Sequence, residues 1–202
     1  MNETTSPAGA PSRPLTLASG SPRRRELLRG LGLDIVVRPV DIDESPLDGE
    51  KADVYVRRLA RAKARAQGAP GELILAADTV VAVDGDLLGK PEDAADAQAM
   101  LRRLSGRAHE VLTGVAVWEP GTDTLVDEVV TTRVVFNAMS EEEIAWYVAT
   151  GEPMDKAGAY AVQGLAAVFV ERLDGNYSNV VGLPLPTVYV LLRRFGFAGL
   201  GT

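Results

Sequence analysis

The sequence predicts a mixed α/β fold, and three observations predict it. Apolar residues recur at helical spacing in several stretches, β-branched runs of strand length lie between them, and hairpin turns join neighbouring strands. A purely doubly wound parallel sheet would hold no such hairpins, so part of the sheet is expected to be antiparallel.

Residues 1–14, MNETTSPAGAPSRP, have neither the basic start nor the apolar stretch of a signal peptide and read as a disordered tail. A single domain is expected over 15–197, with a short tail at 198–202. Leu15 to Ala18 form a short apolar strand that runs into Ser19-Gly20-Ser21-Pro22. Ser21 suits a helix N-cap and Pro22 the first helical position, and Leu27, Leu28 and Leu31 then carry helical spacing. A second strand, Asp34 to Val40, leads through the acidic loop Asp41 to Glu50 into a long helix from Ala52 to Gln67. There Val56, Leu59 and Lys63 share one stripe.

Leu73 to Val83 is rich in β-branched residues and reads as a strand, closed by the hairpin signal Asp84-Gly85. A helix over Glu92 to Leu104 follows, then strands Glu110 to Trp118 and Leu125 to Asn137 joined by the turn residues Glu119 to Asp123. Ser140 and Glu143 form a capping box for a helix that ends near Gly151. Ala159 to Val162 and Ala167 to Arg172 read as strands, Asp174 to Leu185 as a loop, and Pro186 to Phe195 as a closing helix.

Composition removes several kinds of chemistry. A net charge of -7 over 202 residues argues against a binder of polymeric nucleic acid, which needs a broad basic face. There is no cysteine and His109 is the sole histidine, so thiolate nucleophiles and histidine-rich metal sites are not expected. A cation would have to be held by oxygen, which favours Mg²⁺ or Mn²⁺. No apolar run approaches the roughly 18 residues of a membrane span, so a soluble, cytoplasmic protein with no membrane partner is expected.

Four arginines and one glutamate stand between Ser19 and Arg29, a basic island in an acidic chain at a strand-to-helix junction. A helix N-terminus offers unpaired N–H groups and a positive dipole, Gly20 permits close approach, and Arg23 and Arg24 add bidentate contacts, which together make a phosphate cradle. The plain alternative is a capped helix with a solvated basic face. Asp78 interrupts an apolar strand, where a carboxylate is costly unless it is paired or binds a metal. Its plain alternative is the wet face of the strand. Glu44, beside Asp41 and Asp43, offers another oxygen ligand, though acidic loops are usually solvated.

Lys63 is expected to snorkel out of its apolar stripe rather than to face a buried anion. Lys90 follows the hairpin after Asp78's strand and returns toward the same region, but Gly85 to Lys90 is one residue short of a P-loop and lacks its Ser or Thr. Asp155 to Gly164 and Asn176 to Pro184 are rich in glycine and amides, and Gln163 offers both donor and acceptor to a nucleobase. On spacing alone, two ordinary surface loops are the better reading.

Leu17 to Arg24, Ala77-Asp78-Thr79, Gly89-Lys90-Pro91, Asp155 to Tyr160 and Tyr177 to Pro184, in this order, resemble the motifs of the Maf family of nucleotide pyrophosphatases, once known as septum-formation inhibitors. The resemblance spans about residues 15 to 195. It implies two α/β lobes around an elongated mixed sheet with the active cleft between them, similar to the inosine triphosphate pyrophosphatase architecture, and a homodimer. It implies phosphate-loop roles for Ser19, Ser21, Arg23 and Arg24, catalytic or metal-binding roles for Glu44 and Asp78, and phosphate contacts from Lys63 and Lys90. Thr79 and Gln163 look like residues bearing on substrate choice. Lys156 to Tyr160 with Gln163-Gly164 resembles the branch acting on dTTP and UTP. The expected activity is metal-dependent release of pyrophosphate from a nucleoside triphosphate. Its rival is a nucleotide- or protein-binding regulator of cell division without catalysis.

Overall fold

Strand β3 (Leu73–Val83) organises the molecule, because its alternating side chains face different partners on the two sides of the sheet. The structure, a computed structural model, describes residues 13–197. The expected tails at 1–14, apart from Arg13 and Pro14, and at 198–202 lie outside the described residues.

Strands β1 (Leu15–Leu17) and β2 (Ile35–Val37) lie parallel to one another, and β1 lies parallel to β3. The short β4 (Asp86–Leu88), the long β5 (Ala108–Glu119) and β6 (Thr124–Phe136), and the edge strand β7 (Val170–Asp174) complete an antiparallel remainder. The sheet order is β2-β1-β3-β5-β6-β7, with β4 beside β3. The mixed sheet foreseen from the hairpins is therefore present.

One edge of β3 is covered by β5 along almost its whole length, from Ile74 to Ala82. The other edge is shared: β1 pairs only with Leu73 to Leu75, and β4 only with Val81 to Val83. Asp78 and Thr79 stand in the gap, where the sheet has no strand on that side. This gap is the origin of the cleft.

The core divides at the same place. On one face of β3, Leu73, Leu75 and Ala77 pack with Leu28 of helix α1 (Pro22–Gly30) and with Val188, Leu191 and Leu192 of α6 (Leu185–Arg194). Farther along that face, Val81 and Val83 pack with Leu101 and Leu104 of α3 (Ala94–Leu104) and Ile144 and Tyr147 of α4 (Glu141–Ala149). Thr79 lies between these two cores, which makes the fold two-lobed. The opposite face carries Ile74, Ala76 and Val80 under helix α2 (Ala52–Arg65), which spans both halves. Among the described residues, no helix is long and apolar enough to cross a membrane.

Three expected features differ. Ala159 to Val162 do not form a strand: Ala157–Ala159 make a 3₁₀ turn in which Gly158 has φ of 68° and Ala159 φ of 58°, left-handed values incompatible with a strand. The second expected strand begins only at Val170, after a 3₁₀ turn over Leu165–Phe169. Within the loop expected over Asp174 to Leu185, Tyr177–Val181 form a short helix, α5. Asn176 caps it by accepting from the Asn179 amide at 2.8 Å, and Gly182 ends it with φ of 118°.

Candidate active site

The N-terminus of α1 opens onto a cleft of about 680 Å³ that follows the gap beside β3. Ser21 caps the helix through the Arg24 amide, 3.5 Å away, and the Ser19 hydroxyl accepts from the Ser21 amide at 3.3 Å. This short chain of side-chain bonds holds the turn between β1 and α1.

The two neighbouring arginines have different surroundings. Arg24 is buried under the turn and commits four N–H bonds to protein acceptors: Gly182 O at 2.8 Å, Ala77 O at 2.8 Å, Ser19 Oγ at 3.1 Å and Thr79 Oγ1 at 3.0 Å. It supplies the donor that Ala77 lacks where β3 has no neighbouring strand. Arg23 instead faces across the cleft, bonding Asp155 Oδ2 at 2.8 Å and Asp155 O at 3.1 Å. Burial pushes the Asp155 carboxyl up, but hydrogen bonds from Lys156 and Arg23 outweigh it and hold it at about 2. The direct phosphate contact expected of both arginines is open to Arg23, while Arg24 fastens the cradle to the strand behind it.

Asp78 lies on the α2 side of β3 and is 6% exposed, so the wet-face alternative does not hold. Lys63, 7% exposed, does not snorkel: its Nζ lies 2.6 Å from Asp78 Oδ1 and 2.6 Å from Glu44 Oε1. A buried carboxylate recruits the ammonium because leaving either charge alone would cost several kcal/mol. Burial raises the Asp78 pKa, opposed by the positive charges of Lys63 and Arg24, and the Glu44 charge adds to the rise.

Gly114 permits this meeting. It pairs with Asp78 across β3 and β5 and lies on the same face, under α2. A Cβ there would lie 2.3 Å from the Val56 carbonyl oxygen. Only glycine lets the helix sit so close to the sheet.

The far wall comes from the Asp155 to Gly164 segment. Gly158 packs on Val81, where a Cβ would fall 2.7 Å from a Val81 methyl, and its amide donates to Gly89 O at 2.9 Å. That bond ties this wall to the loop bearing Lys90, which is exposed and lines the cleft. Gln163 also lines the cleft with an exposed side chain, and Thr79 lies at its floor with its hydroxyl against Arg24, Thr113 and Gly182 O. Val80, Val81, Val111, Tyr160 and Val180 give this half an apolar lining.

All ten residues singled out in the sequence therefore line one cleft: Ser19, Ser21, Arg23, Arg24, Glu44, Lys63, Asp78, Thr79, Lys90 and Gln163. A profile of the family described as Maf-like protein matches residues 14–195 of the chain. The chain belongs to the Maf-like family.

Among similar members, a protein of Anaeromyxobacter dehalogenans (strain 2CP-C) named dTTP/UTP pyrophosphatase is 58% identical over 185 residues, covering 91% of this chain and 94% of that protein. A Myxococcus xanthus protein of the same name is 55% identical, covering 90% of this chain and 92% of that one. The solved structure of the Staphylococcus aureus Ham1 protein aligns over 90% of this chain and 98% of its own at a TM-score of 0.50 and 14% identity, a likeness of fold alone.

The Maf-like cleft also uses residues that sequence reasoning left without a role. Tyr55 precedes Lys63 by two helical turns and faces the same cleft, a spacing that periodicity alone could have flagged. Asp155 and Lys156 lie in one of the family motifs, but the ion pair of Asp155 with Arg23, which Lys156 backs from the next position, joins segments 132 residues apart and has no local signal. Among the described residues, no cluster of three or more His, Asp or Glu side chains forms a cation cage. Glu44 and Asp78 converge on the Lys63 ammonium, and their oxygens are the kind of donor that Mg²⁺ or Mn²⁺ takes.

Proposed function

We propose that the chain hydrolyses a nucleoside triphosphate, with dTTP and UTP as preferred substrates, to the monophosphate and pyrophosphate. The observation that carries this reading is the buried Asp78–Lys63 pair, met by Glu44 from the loop, beside a helix N-terminus fronted by Arg23. The names of the curated relatives supply the nucleotides. In this reading Ser19, Arg23 and Lys90 bind phosphate oxygens, with the α1 N-terminus favouring their charge.

Asp78 accepts the proton of the water that adds to the α phosphorus, and the bond to pyrophosphate breaks. A carboxylate whose pKa is raised by burial is a stronger base than an exposed one. Lys63 keeps Asp78 ionised and offsets charge in the transition state. Glu44 and Asp78 would hold Mg²⁺ or Mn²⁺ with the substrate's phosphates, and such an ion neutralises charge on the leaving pyrophosphate. The apolar wall and Gln163 face the base. A cytoplasmic homodimer belongs to the same reading.

The test is pyrophosphate release from dTTP, UTP, ATP, GTP and 7-methyl-GTP, with Mg²⁺, Mn²⁺, Zn²⁺ or EDTA. We expect dTTP and UTP to lead, EDTA to abolish the activity and Mg²⁺ or Mn²⁺ to restore it. Binding without turnover of any nucleotide would favour the regulatory role. Zinc activity with inert Mg²⁺ and Mn²⁺ would overturn the oxygen-ligand site.

A further inference from the structure

Glu44 is the least supported member of the carboxylate pair. It belongs to the 41–50 loop, which contains no helix or strand, and its side chain is 53% exposed. Neither the sheet nor a packed core holds it. Its carboxylate nevertheless reaches Lys63 at 2.6 Å, so other contacts must hold the loop backbone in place.

Those contacts come from one face of α2. The Tyr55 hydroxyl donates to the Glu44 carbonyl oxygen at 2.9 Å. One turn on, Arg58 donates to the Ser45 carbonyl oxygen at 3.1 Å and forms a two-pronged ion pair with Glu50, at 2.6 and 2.7 Å. Glu50 in turn accepts from the Leu47 amide at 3.0 Å, and Asp43 accepts from the Ser45 amide at 2.9 Å. The Arg58 guanidinium lies over the Tyr55 ring, 5.6 Å from its centroid. Tyr55, Leu59 and Lys63 fall at i, i+4 and i+8, so the helix grips Glu44 twice: Tyr55 holds its backbone and Lys63 its carboxylate.

We infer that Tyr55 is a positioning residue for Glu44, its hydroxyl fixing the Glu44 carbonyl so that the carboxylate meets the cation and phosphates beside Asp78. The inference rests on the catalytic reading of the cleft given above. Residues that orient a ligand carboxylate without touching the ion commonly matter nearly as much as the ligand itself.

The experiment is a double-mutant cycle of Tyr55→Phe and Glu44→Gln in the full chain. Phenylalanine keeps the ring under Arg58 and removes only the hydroxyl. Tyr55→Phe should lower kcat/KM by about 10-fold and weaken Mn²⁺ binding, read by paramagnetic resonance with a non-hydrolysable dTTP analogue, by a similar factor. Thermal melting should stay within a few degrees. In the Glu44→Gln background the same change should cost less than about 2-fold, because the carboxylate that Tyr55 positions is already lost. Equal losses in both backgrounds would mean that Tyr55 acts without Glu44 and would overturn the inference. A silent Tyr55→Phe beside an impaired Glu44→Gln would overturn it too, and leave the function standing. A silent Glu44→Gln would remove the role of Glu44 itself, and the inference with it.

Discussion

Asp78 and Gln163 line the same cleft under opposite conditions. Asp78 stands on a central strand, 6% exposed, paired with β5 and pressed by α2, with Lys63 fixed at 2.6 Å. Gln163 stands just before a 3₁₀ turn with its side chain exposed, and among the described residues its amide forms no hydrogen bond. Charge interactions are strong where water is excluded and weak where it competes. The floor of the cleft can therefore supply large, geometry-dependent effects, while the rim supplies several small ones. In the proposed mechanism the proton acceptor therefore lies on the packed part and the contacts for telling nucleotides apart on the open part.

The sharpest way to break this contrast is Asp78→Asn. The change keeps the shape, removes the charge and leaves Lys63 paired with Glu44. Turnover should fall on the order of 10²-fold or more, the scale of lost general-base help with misplaced metal added. The protein should still melt cooperatively and bind a non-hydrolysable triphosphate. Because burial raises the Asp78 pKa, the acid limb of the wild-type kcat/KM profile should lie above the ordinary carboxylate range. Measured product release above about a tenth of wild type would remove Asp78 as the base and move that role to Glu44.

The floor was partly legible in the sequence. Asp78 announced itself by interrupting an apolar run, and the turn at Ser19 to Pro22 carried its own cap signal. Periodicity alone sends Lys63 outward, because snorkelling is the usual fate of a lysine in an apolar stripe and the buried partner that reverses it lies 15 residues away on another element. The strand expected over Ala159 to Val162 is absent although its small and aromatic residues suit one, because Gly158 and Ala159 take left-handed backbone angles where Gly158 packs directly on Val81. The rim was barely legible, since exposed loop residues obey no period. There the family motifs supplied what spacing did not.

Gly114→Ala tests whether the floor depends on close packing as well as charge. A methyl group would meet the Val56 carbonyl, and backbone yields less readily than a flexible side chain. We expect a loss of about 2 to 3 kcal/mol in urea unfolding, near the top of the usual range for overpacking. Turnover should fall with it, because lifting α2 draws Lys63 away from Asp78. A variant with normal stability and normal turnover would show that the helix need not sit so close, and the floor would be softer than described.

The smallest effect is expected at the rim, from Gln163→Ala. A buried amide left unpaired by the wrong base would forfeit about 1 to 3 kcal/mol. The structure exposes this side chain, so water replaces whatever bond the base makes, and only the net value of one hydrogen bond is at stake. That corresponds to about 2-fold to 10-fold in the preference for dTTP and UTP over ATP and GTP, with kcat on dTTP little changed. The measurement is kcat/KM for the four nucleotides in both proteins. A loss of preference beyond about 100-fold exceeds what a solvated amide can contribute. The rim would then have to close over the base and desolvate Gln163 during binding, and the contrast between a fixed floor and an open rim would hold only for the empty cleft.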